Sequence, residues 1–535
     1  MIKSEHVHFV STQNGSSLMA SSSITANIVS PLSLIECPES YIIGPKLAES
    51  LFGHIWNENL HIRQPLIKLS FLFEVLVQKN KSKWKEYLDM LPSYDEISIP
   101  VSWTSKELEW LAGTNIYNHI SQRTHQWKSE WEELKKYVFD INWSLFSLAT
   151  YNWASAIFLS RSFPARIIYN ENKYACEKLG LSMLLPVIDS LNHAPETAVF
   201  WGTNDSSFLL SIGYPIAKDT EIFNNYGPKG NEELLMGYGF CLNTFKFDLV
   251  TVKLGIPNNK TIKESLIQNN IQLEDNHFTE FLSLDSPMSE KLLTIFTIVS
   301  KRDEELLYKN SSVLLTRSEA LNGIIALKRA LAQKLLNINE QESFLTKKEI
   351  TELGHISKNR YVNATLYRQG QRLILEKSLD SCDAKTSKLI KNAQHKIDLS
   401  NIFTPEIEKI LKQLLGIEEP NYSLLDDNDN AEMAIIIIIA AEFLKGDDSK
   451  YKEPLNIMWE VLEDVSILQE LSNSYEQDVF NYIEENRRSM DTKSELLQLM
   501  AQRQWTPKVL AEAKRVVYRY GYWPSETSKN FLLLV

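Results

Sequence analysis

The alternation of hydrophobic and polar positions divides the chain into a strand-rich part and a helical part. Over residues 8–45, short β-branched runs are separated by polar turns, as in β-strands. Over 45–163, apolar residues recur at the helical spacing of three and four. Strand character returns over 182–223 and again at 249–254, after which helical patterns continue to the end. The pattern therefore predicts a small β-rich unit interrupted by helices and followed by a helical half.

The helical half contains its own hydrophobic segments, and a chain of 535 residues exceeds what one core usually organises. We therefore expect two domains, residues 1–250 and 251–535. The most apolar run, Ala434–Ala441, is shorter than the ~20 residues that span a bilayer, so it predicts a buried helix. The clearest helical stretches of this half are 315–336, 405–415, 431–444, 475–488 and 507–520.

Charge and cysteine content narrow the class of partner and the compartment. A net charge of −12 argues against direct nucleic-acid binding and favours a basic protein partner, although an ordinary solvated acidic surface explains the charge equally well. The four cysteines lie far apart, so we expect neither a metal site nor disulfides. No signal peptide or membrane segment is expected. The sequence thus predicts a monomer in the cytoplasm, with the nucleus as an alternative.

Most general catalytic motifs, including phosphate-binding loops and zinc-protease helices, are absent from the sequence. Three segments are more informative: LPVIDSLNH at 185–193, NNYG at 224–227 and NEELLMGYGF at 231–240. The Asp, Asn and His of the first segment stand in an apolar run. If buried, each needs a partner, because an unsatisfied polar group costs about 1 to 3 kcal/mol.

These segments, with WKEYLDMLP at 84–92 and SRSF at 160–163, resemble the SET-domain protein lysine methyltransferases. The resemblance is to the subgroup of the Rubisco large-subunit methyltransferase and the fungal ribosomal-protein and elongation-factor lysine methyltransferases. It covers about residues 10–250 and is weaker beyond. It implies an α+β fold, in which a pseudoknotted, β-rich SET fold carries a helical insertion at about 45–180. An all-α substrate-binding domain would follow.

The resemblance also implies S-adenosylmethionine as the cofactor and assigns its site. The cofactor-binding residues would be Asn14, Gly15, Ser16, Arg161, Asp189, Asn192, His193, Tyr226, Tyr238 and Phe240. In this assignment Arg161 faces the cofactor carboxylate, Phe240 packs on the adenine and Asp189 supports the Asn-His turn. Tyr226 is the catalytic residue and lines the target-lysine channel together with Phe163.

One position departs from the pattern of the subgroup. Its glycine-rich cofactor loop, G-x-G-L-x-A, corresponds here to GSSLMA at 15–20, with Ser17 in place of the second glycine. Glycine allows close approach of the backbone to a ligand, because it has no Cβ. Ser17 therefore bears directly on cofactor affinity.

The predicted reaction is methylation of a lysine in a non-histone protein, a ribosomal protein or a translation elongation factor. Methyl transfer needs a neutral amine, although the ordinary lysine pKa is near 10.4. A neighbouring sulfonium and an apolar channel would both lower that pKa. Two alternatives stay open, protein-histidine methylation and a non-catalytic SET-fold scaffold. Deleting residues 260–535 is expected to abolish protein methylation more than cofactor binding.

Overall fold

The structure is a computed structural model. It describes residues 7–12, 15–169, 171–204, 207–300, 316–340, 345–394, 396–398, 404–417, 428–456, 475–490, 494–502, 505–522 and 532–534. The chain divides into two compact units. The first comprises Met1–Val250 and Leu335–Ile374, and the second comprises Thr251–Lys334 and Leu375–Val535.

The described strands are short and fall into small sheets. They are β1 (Val7–Thr12), β2 (Gly15–Ala20), β3 (Leu32–Pro38), β4 (Phe163–Pro164), β5 (Ser182–Met183), β6 (Val199–Asn204), β7 (Ser207–Ile212), β8 (Val250–Gly255), β9 (His277–Leu282), β10 (Lys396–Asp398), β11 (Gly521–Tyr522) and β12 (Leu532–Leu534). In the first unit they form the hairpin β1-β2, the sheet β3-β7-β6 and the pair β4-β5, all antiparallel.

Helices make up most of the remaining described structure. They are α1 (Pro45–Glu58), α2 (Arg63–Phe73), α3 (Lys85–Asp89), α4 (Ser105–Leu108), α5 (Asn115–Leu134), α6 (Leu148–Arg161), α7 (Glu171–Tyr174), α8 (Asn231–Tyr238), α9 (Lys260–Gln268), α10 (Glu290–Val299), α11 (Arg317–Glu340), α12 (Lys347–Glu352), α13 (His355–Lys391), α14 (Pro405–Leu414), α15 (Asn428–Lys445), α16 (Tyr475–Arg488), α17 (Glu495–Gln502) and α18 (Pro507–Tyr520). Helices α11 and α13 contribute residues to both units.

The core of the first unit explains why its central elements form. Strand β7 alternates, so that Phe208, Leu210 and Ile212 are buried on one face. Helix α2 is rich in apolar residues and is therefore buried along nearly its whole length. Helix α4 begins with a capping box, in which Thr104 and Glu107 satisfy each other's backbone N–H groups. Helices α1 to α7 lie between β3 and β5 in the chain, where the sequence predicts the insertion. The insertion as a separate subdomain and the pseudoknot stay predictions.

The second unit is mainly helical, as the sequence predicts, and short strands are added to its helices. The isoleucine run of α15 is buried in the core of this unit, as expected from its composition. Thr506 caps α18 by accepting a hydrogen bond from the N–H of Val509, with Pro507 in the first turn. Strands β8 and β9 lie side by side, and β10, β12 and β11 form a three-stranded sheet. The functional division into residues 1–250 and 251–535 stays a prediction.

All four cysteines, Cys37, Cys176, Cys241 and Cys382, are free thiols. Within the described ranges, every helix is too short or too polar to cross a membrane.

Candidate functional site

Two sequence motifs that lie thirty residues apart meet in a short parallel bridge between His193 and Asn224. The N–H of Asn224 donates to the carbonyl of Asn192 at 2.8 Å, and the N–H of Ala194 donates to the carbonyl of Asn224 at 2.9 Å. The bridge thus joins the 185–193 segment directly to the 224–227 segment. Just before it, Val187 has φ 77° and ψ −48°, an unfavourable backbone conformation for a β-branched residue. Such strain is typical of functional sites.

Tyr226 lies in a stack of three rings. The centroid of the His193 ring lies 4.9 Å from that of Tyr226, with an interplanar angle of 15°. The centroid of the Tyr238 ring lies 4.7 Å from that of Tyr226, with an interplanar angle of 28°. The hydroxyl of Tyr226 donates to the carbonyl of Leu191 at 2.7 Å. Burial raises the pKa of Tyr226 above its ordinary value. The hydroxyl is therefore neutral at pH 7 and held in a fixed direction.

His193 fixes the backbone of the same tyrosine. Its Nδ1 accepts a hydrogen bond from the N–H of Tyr226 at 3.1 Å, so the neutral ring carries its proton on Nε2. Burial lowers the pKa of the imidazole, which favours this neutral form. The Nε2 atom is buried and has no hydrogen-bond partner among the described residues.

Asp189, Arg161 and Tyr87 form a polar group beside the tyrosine stack. The hydroxyl of Tyr87 donates to Oδ2 of Asp189 at 2.5 Å. Arg161 donates through Nη1 to the Asp189 carbonyl at 3.2 Å, and the same nitrogen is 3.9 Å from the carboxylate. Burial raises the pKa of Asp189 to about 6, although Arg161 and Tyr87 act in the opposite direction. The Arg161 side chain keeps 25% of its surface exposed, so it is not fully covered by the protein.

A cavity of about 460 Å³ opens beside these groups. Five predicted site residues line it: Arg161, Phe163, Asp189, Tyr226 and Tyr238. Its wall also includes Trp201, whose ring lies 5.0 Å from that of Phe163, edge to face. The volume lies within the 300–1,000 Å³ that is usual for small-molecule sites.

Two predicted residues adjoin this wall without lining the cavity. His193 lies behind the ring of Tyr226, as described above. Phe240 lies 6.4 Å from the His193 ring and 6.3 Å from the Tyr238 ring, measured between centroids. The structure therefore brings seven of the predicted site residues into one connected group.

Asn192 connects this group to the first hairpin. Its Nδ2 donates to Glu221 at 2.6 Å and to the hydroxyl of Ser17 at 3.4 Å. Ser17 lies on β2, and its side chain is buried against Asn192. Gly15 and Ser16 begin the same strand, whereas Asn14 lies outside the described residues.

Sequence reasoning missed several residues that hold this arrangement together. Asn224 is buried, and its Oδ1 accepts hydrogen bonds from the indole of Trp201 at 3.0 Å and from the N–H of Asn225 at 2.8 Å. Tyr87 supports Asp189 across a separation of about a hundred residues. Both belong to motifs visible in the sequence, as the Tyr of WKEYL and the first Asn of NNYG. Nothing in the sequence pattern, however, shows which residue each contacts.

Comparison with known proteins shows related sequences, although no family model matches the chain. Ribosomal lysine N-methyltransferase set10 of Schizosaccharomyces pombe is 32% identical over 368 residues, 65% of this chain and 63% of the relative. Ribosomal lysine N-methyltransferase 1 of Saccharomyces cerevisiae is 28% identical over 66% of this chain and 67% of its own length. Protein-lysine N-methyltransferase EFM1 of the same yeast is 28% identical over 57% of this chain and 58% of its own. The chain thus spans about 60% of the length of these relatives.

Solved structures show the same fold at lower sequence identity. The SET domain of LSMT bound to methyllysine and AdoHcy matches with a TM-score of 0.59 and 18% identity, over 74% of this chain and 91% of that one. Rubisco LSMT bound to AdoMet matches with a TM-score of 0.57 and 19% identity, over 73% and 89%. The resemblance predicted from the sequence is confirmed: this chain is related in sequence to fungal lysine N-methyltransferases and has the fold of the LSMT SET domain.

Proposed function

We propose that this protein is an S-adenosylmethionine-dependent protein lysine N-methyltransferase. The observation that carries the proposal is the position of Tyr226, which lies between His193 and Tyr238 and lines the same cavity as Arg161 and Phe163. The names of the sequence relatives support the same activity. The catalytic and cofactor-binding roles predicted from the sequence belong to this proposal.

The residues around the cavity fit the cofactor. The cavity volume suits a ligand of this size, and the guanidinium of Arg161, a residue that lines the cavity, matches a carboxylate. Aromatic side chains line the cavity, among them Phe163, Trp201 and Tyr238, and suit a cation or an adenine ring. Buried polar atoms at Nε2 of His193 and Nδ2 of Asn224 have no partner among the described residues. Both atoms are hydrogen-bond donors, so a ligand with acceptors would satisfy them.

When bound, the cofactor supplies an electrophilic methyl group on a sulfonium centre. The protein would orient the acceptor amine. Phe163, Trp201 and Tyr226 form aromatic walls that exclude water and disfavour the charged ammonium form of a lysine. Because the Tyr226 hydroxyl donates a hydrogen bond to the Leu191 carbonyl, the lone pairs of its oxygen are available to accept a hydrogen bond from the amine. Such alignment supplies much of the rate of a direct transfer.

For the substrate, we propose a basic non-histone protein, a ribosomal protein or a translation elongation factor, methylated in the cytoplasm. The net charge of −12 favours association with a basic partner. Two relatives are named as ribosomal lysine N-methyltransferases.

The predicted pseudoknot belongs to the same proposal and is supported by the bridge between His193 and Asn224. The division into a methyltransferase half and a substrate-binding half is also proposed here.

The proposal is tested with purified full-length protein, methyl-labelled S-adenosylmethionine and a fungal extract that lacks the endogenous enzyme. We expect labelled lysine on one or two proteins, identified by mass spectrometry. Tyr226→Phe is expected to reduce the labelling rate about 100-fold, because a lost hydrogen bond at a reacting centre costs about 2 to 3 kcal/mol. Tyr117→Phe, which removes the hydroxyl of an exposed tyrosine on α5 outside the proposed site, is the control and is expected to label like wild type.

Each other outcome has a defined meaning. Label on histidine would replace lysine methylation with the alternative predicted from the sequence. No label, together with no binding of S-adenosylmethionine, would contradict the proposed enzyme and favour a binding protein with a SET fold.

A further inference from the structure

A helix from the later part of the chain holds the turn that carries two predicted cofactor-binding residues. The 238–241 turn comprises Tyr238, Gly239, Phe240 and Cys241 and begins at the last residue of α8. Asn363 of α13 contacts this turn, and both belong to the first unit. The sequence resemblance assigns no role to Asn363.

The side-chain amide of Asn363 bridges the turn with both of its polar atoms. Its Oδ1 accepts the N–H of Cys241 at 2.9 Å, and its Nδ2 donates to the carbonyl of Gly239 at 3.3 Å. The Asn363 carbonyl also accepts a hydrogen bond from the Cys241 thiol at 3.3 Å. An aspartate of the same size retains the acceptor but lacks the donor, and alanine lacks both. The contact therefore requires a primary amide at this position.

The turn also lies close to the backbone of Ser98. Gly239 has φ 82°, and a Cβ there would lie 2.5 Å from the backbone carbon of Ser98. Nearby, the hydroxyl of Tyr367, one turn further along α13, donates to Glu232 of α8 at 2.6 Å. The 238–241 turn is thus close to the Ser98 backbone and is hydrogen-bonded to α13.

The direction of the turn determines where its two aromatic rings lie. Tyr238 precedes Gly239 and stacks on Tyr226, and Phe240 follows it and lies beside His193. We propose that Asn363 is a positioning residue for this aromatic pair and thereby sets the affinity for S-adenosylmethionine. This inference rests on the proposed function. If the turn adopts other conformations without Asn363, the measured affinity falls by the fraction that remains competent to bind.

The test compares full-length wild type with Asn363→Ala, Asn363→Asp and Gln369→Ala. Gln369→Ala is the matched control, because it also removes an amide from α13 but at an exposed position. Three quantities are measured: the Kd for S-adenosylmethionine by titration calorimetry, the Tm without ligand, and amide hydrogen exchange over residues 238–241. For Asn363→Ala we expect a Kd raised about tenfold, faster exchange at Cys241 and a Tm within a few degrees of wild type. Gln369→Ala is expected to match wild type.

Asn363→Asp provides the same test if the alanine variant does not fold. It is expected to weaken binding as well, because an oxygen then faces the Gly239 carbonyl. A lower Tm with unchanged Kd and exchange would mean a purely structural role and would overturn the inference. If wild type binds S-adenosylmethionine and both Asn363 variants bind it with the same Kd, the inference is overturned while the proposed function stays intact. Absence of binding by wild type would overturn both.

Discussion

Two buried polar clusters of the first unit differ in how completely their charges are satisfied. In the Glu107 cluster, Arg360 contacts the Glu107 carboxylate at 2.8 Å, and Ser357 donates to it at 2.7 Å. In the Asp189 cluster, Arg161 is 3.9 Å from the carboxylate, and Tyr87 is its close donor. Side-chain exposure is 5% for Arg360 but 25% for Arg161. Both oxygens of the Glu107 carboxylate have close partners, which is typical of structural support, whereas Oδ1 of Asp189 has no hydrogen-bond partner among the described residues.

The pKa values of the two carboxyls shift in opposite directions. Burial acts to raise the pKa of Glu107, but hydrogen bonds from Ser357 and Thr104 and the charge of Arg360 bring it below the ordinary value. For Asp189, burial outweighs its partners and raises the pKa to about 6. The pKa values of the two carboxyl groups thus differ because the Glu107 carboxylate is fully paired and that of Asp189 is not.

The largest expected effect is on stability, from Arg360→Met. The substitution leaves the Glu107 carboxylate buried without its cation, which typically costs about 3 to 5 kcal/mol. Urea unfolding of the full chain measures this loss in the free energy of unfolding. Lys358→Met, which removes an exposed cation from the same helix, is the control and should change stability little. A loss below about 1 kcal/mol for Arg360→Met would contradict the structural role.

A smaller effect, dependent on pH, is expected from Asp189→Asn. Because folding raises the pKa from 3.8 to about 6, the folded state retains a proton that the unfolded chain loses in this range. Stability from this group therefore falls as pH rises from about 4 to 6, by at most about 3 kcal/mol. Asparagine does not titrate, so this fall is absent from the variant. The stability of the variant relative to wild type should therefore increase as pH rises from 4 to 7. Urea midpoints at four pH values measure the difference.

Glu107→Gln is the contrasting variant in the same series. Since the folded pKa of Glu107 is lowered, its contribution is present above the ordinary pKa and disappears as pH falls through the folded value. Glu107→Gln should therefore lose stability against wild type at pH 7 and lose less in acid. Parallel pH profiles for Glu107→Gln and Asp189→Asn would remove the distinction between the two clusters.

The smallest effect is expected from Ser17→Gly, which restores the glycine of the motif. The hydrogen bond between Ser17 and Asn192 is long, at 3.4 Å, and Asn192 keeps its closer contact to Glu221 at 2.6 Å. We expect the Kd for S-adenosylmethionine to change by less than about threefold, since one weak hydrogen bond contributes about 0.5 kcal/mol. Ser17→Ala is the control for side-chain loss without added backbone freedom. A tenfold gain with glycine would instead show that the Ser17 Cβ obstructs the ligand.

The sequence predicts those parts of the site that lie within continuous motifs. Asp189, Asn192 and His193 stand in one segment, and their polar character in an apolar run indicates partners before any contact is known. Periodicity likewise predicts the helical character of the second half and the burial of the isoleucine run. These features depend on local pattern, which a single sequence contains.

Contacts between distant segments could not be predicted in this way. Arg360 and Asn363 belong to the helical half by pattern, yet they contact Glu107 and the 238–241 turn of the first unit. The expectation that deleting residues 260–535 abolishes protein methylation more than cofactor binding therefore changes. Such a deletion removes the cation of a buried ion pair, so we now expect loss of folding as well as binding. Helical periodicity shows that one face of a helix is buried, but it does not show which segment of the protein that face packs against.

The most direct test of the central claim is calorimetric titration of S-adenosylmethionine into wild type and Arg161→Met. The claim is that the incompletely satisfied cluster at Asp189 and Arg161 forms the ligand site. We predict saturable binding by wild type and a Kd at least 100-fold higher for Arg161→Met, about 3 kcal/mol for a lost charge-assisted contact. The Tm without ligand should fall less than in Arg360→Met, because Arg161 lies farther from its carboxylate than Arg360 does. Equal affinity in both proteins, or no binding by wild type, would contradict the claim.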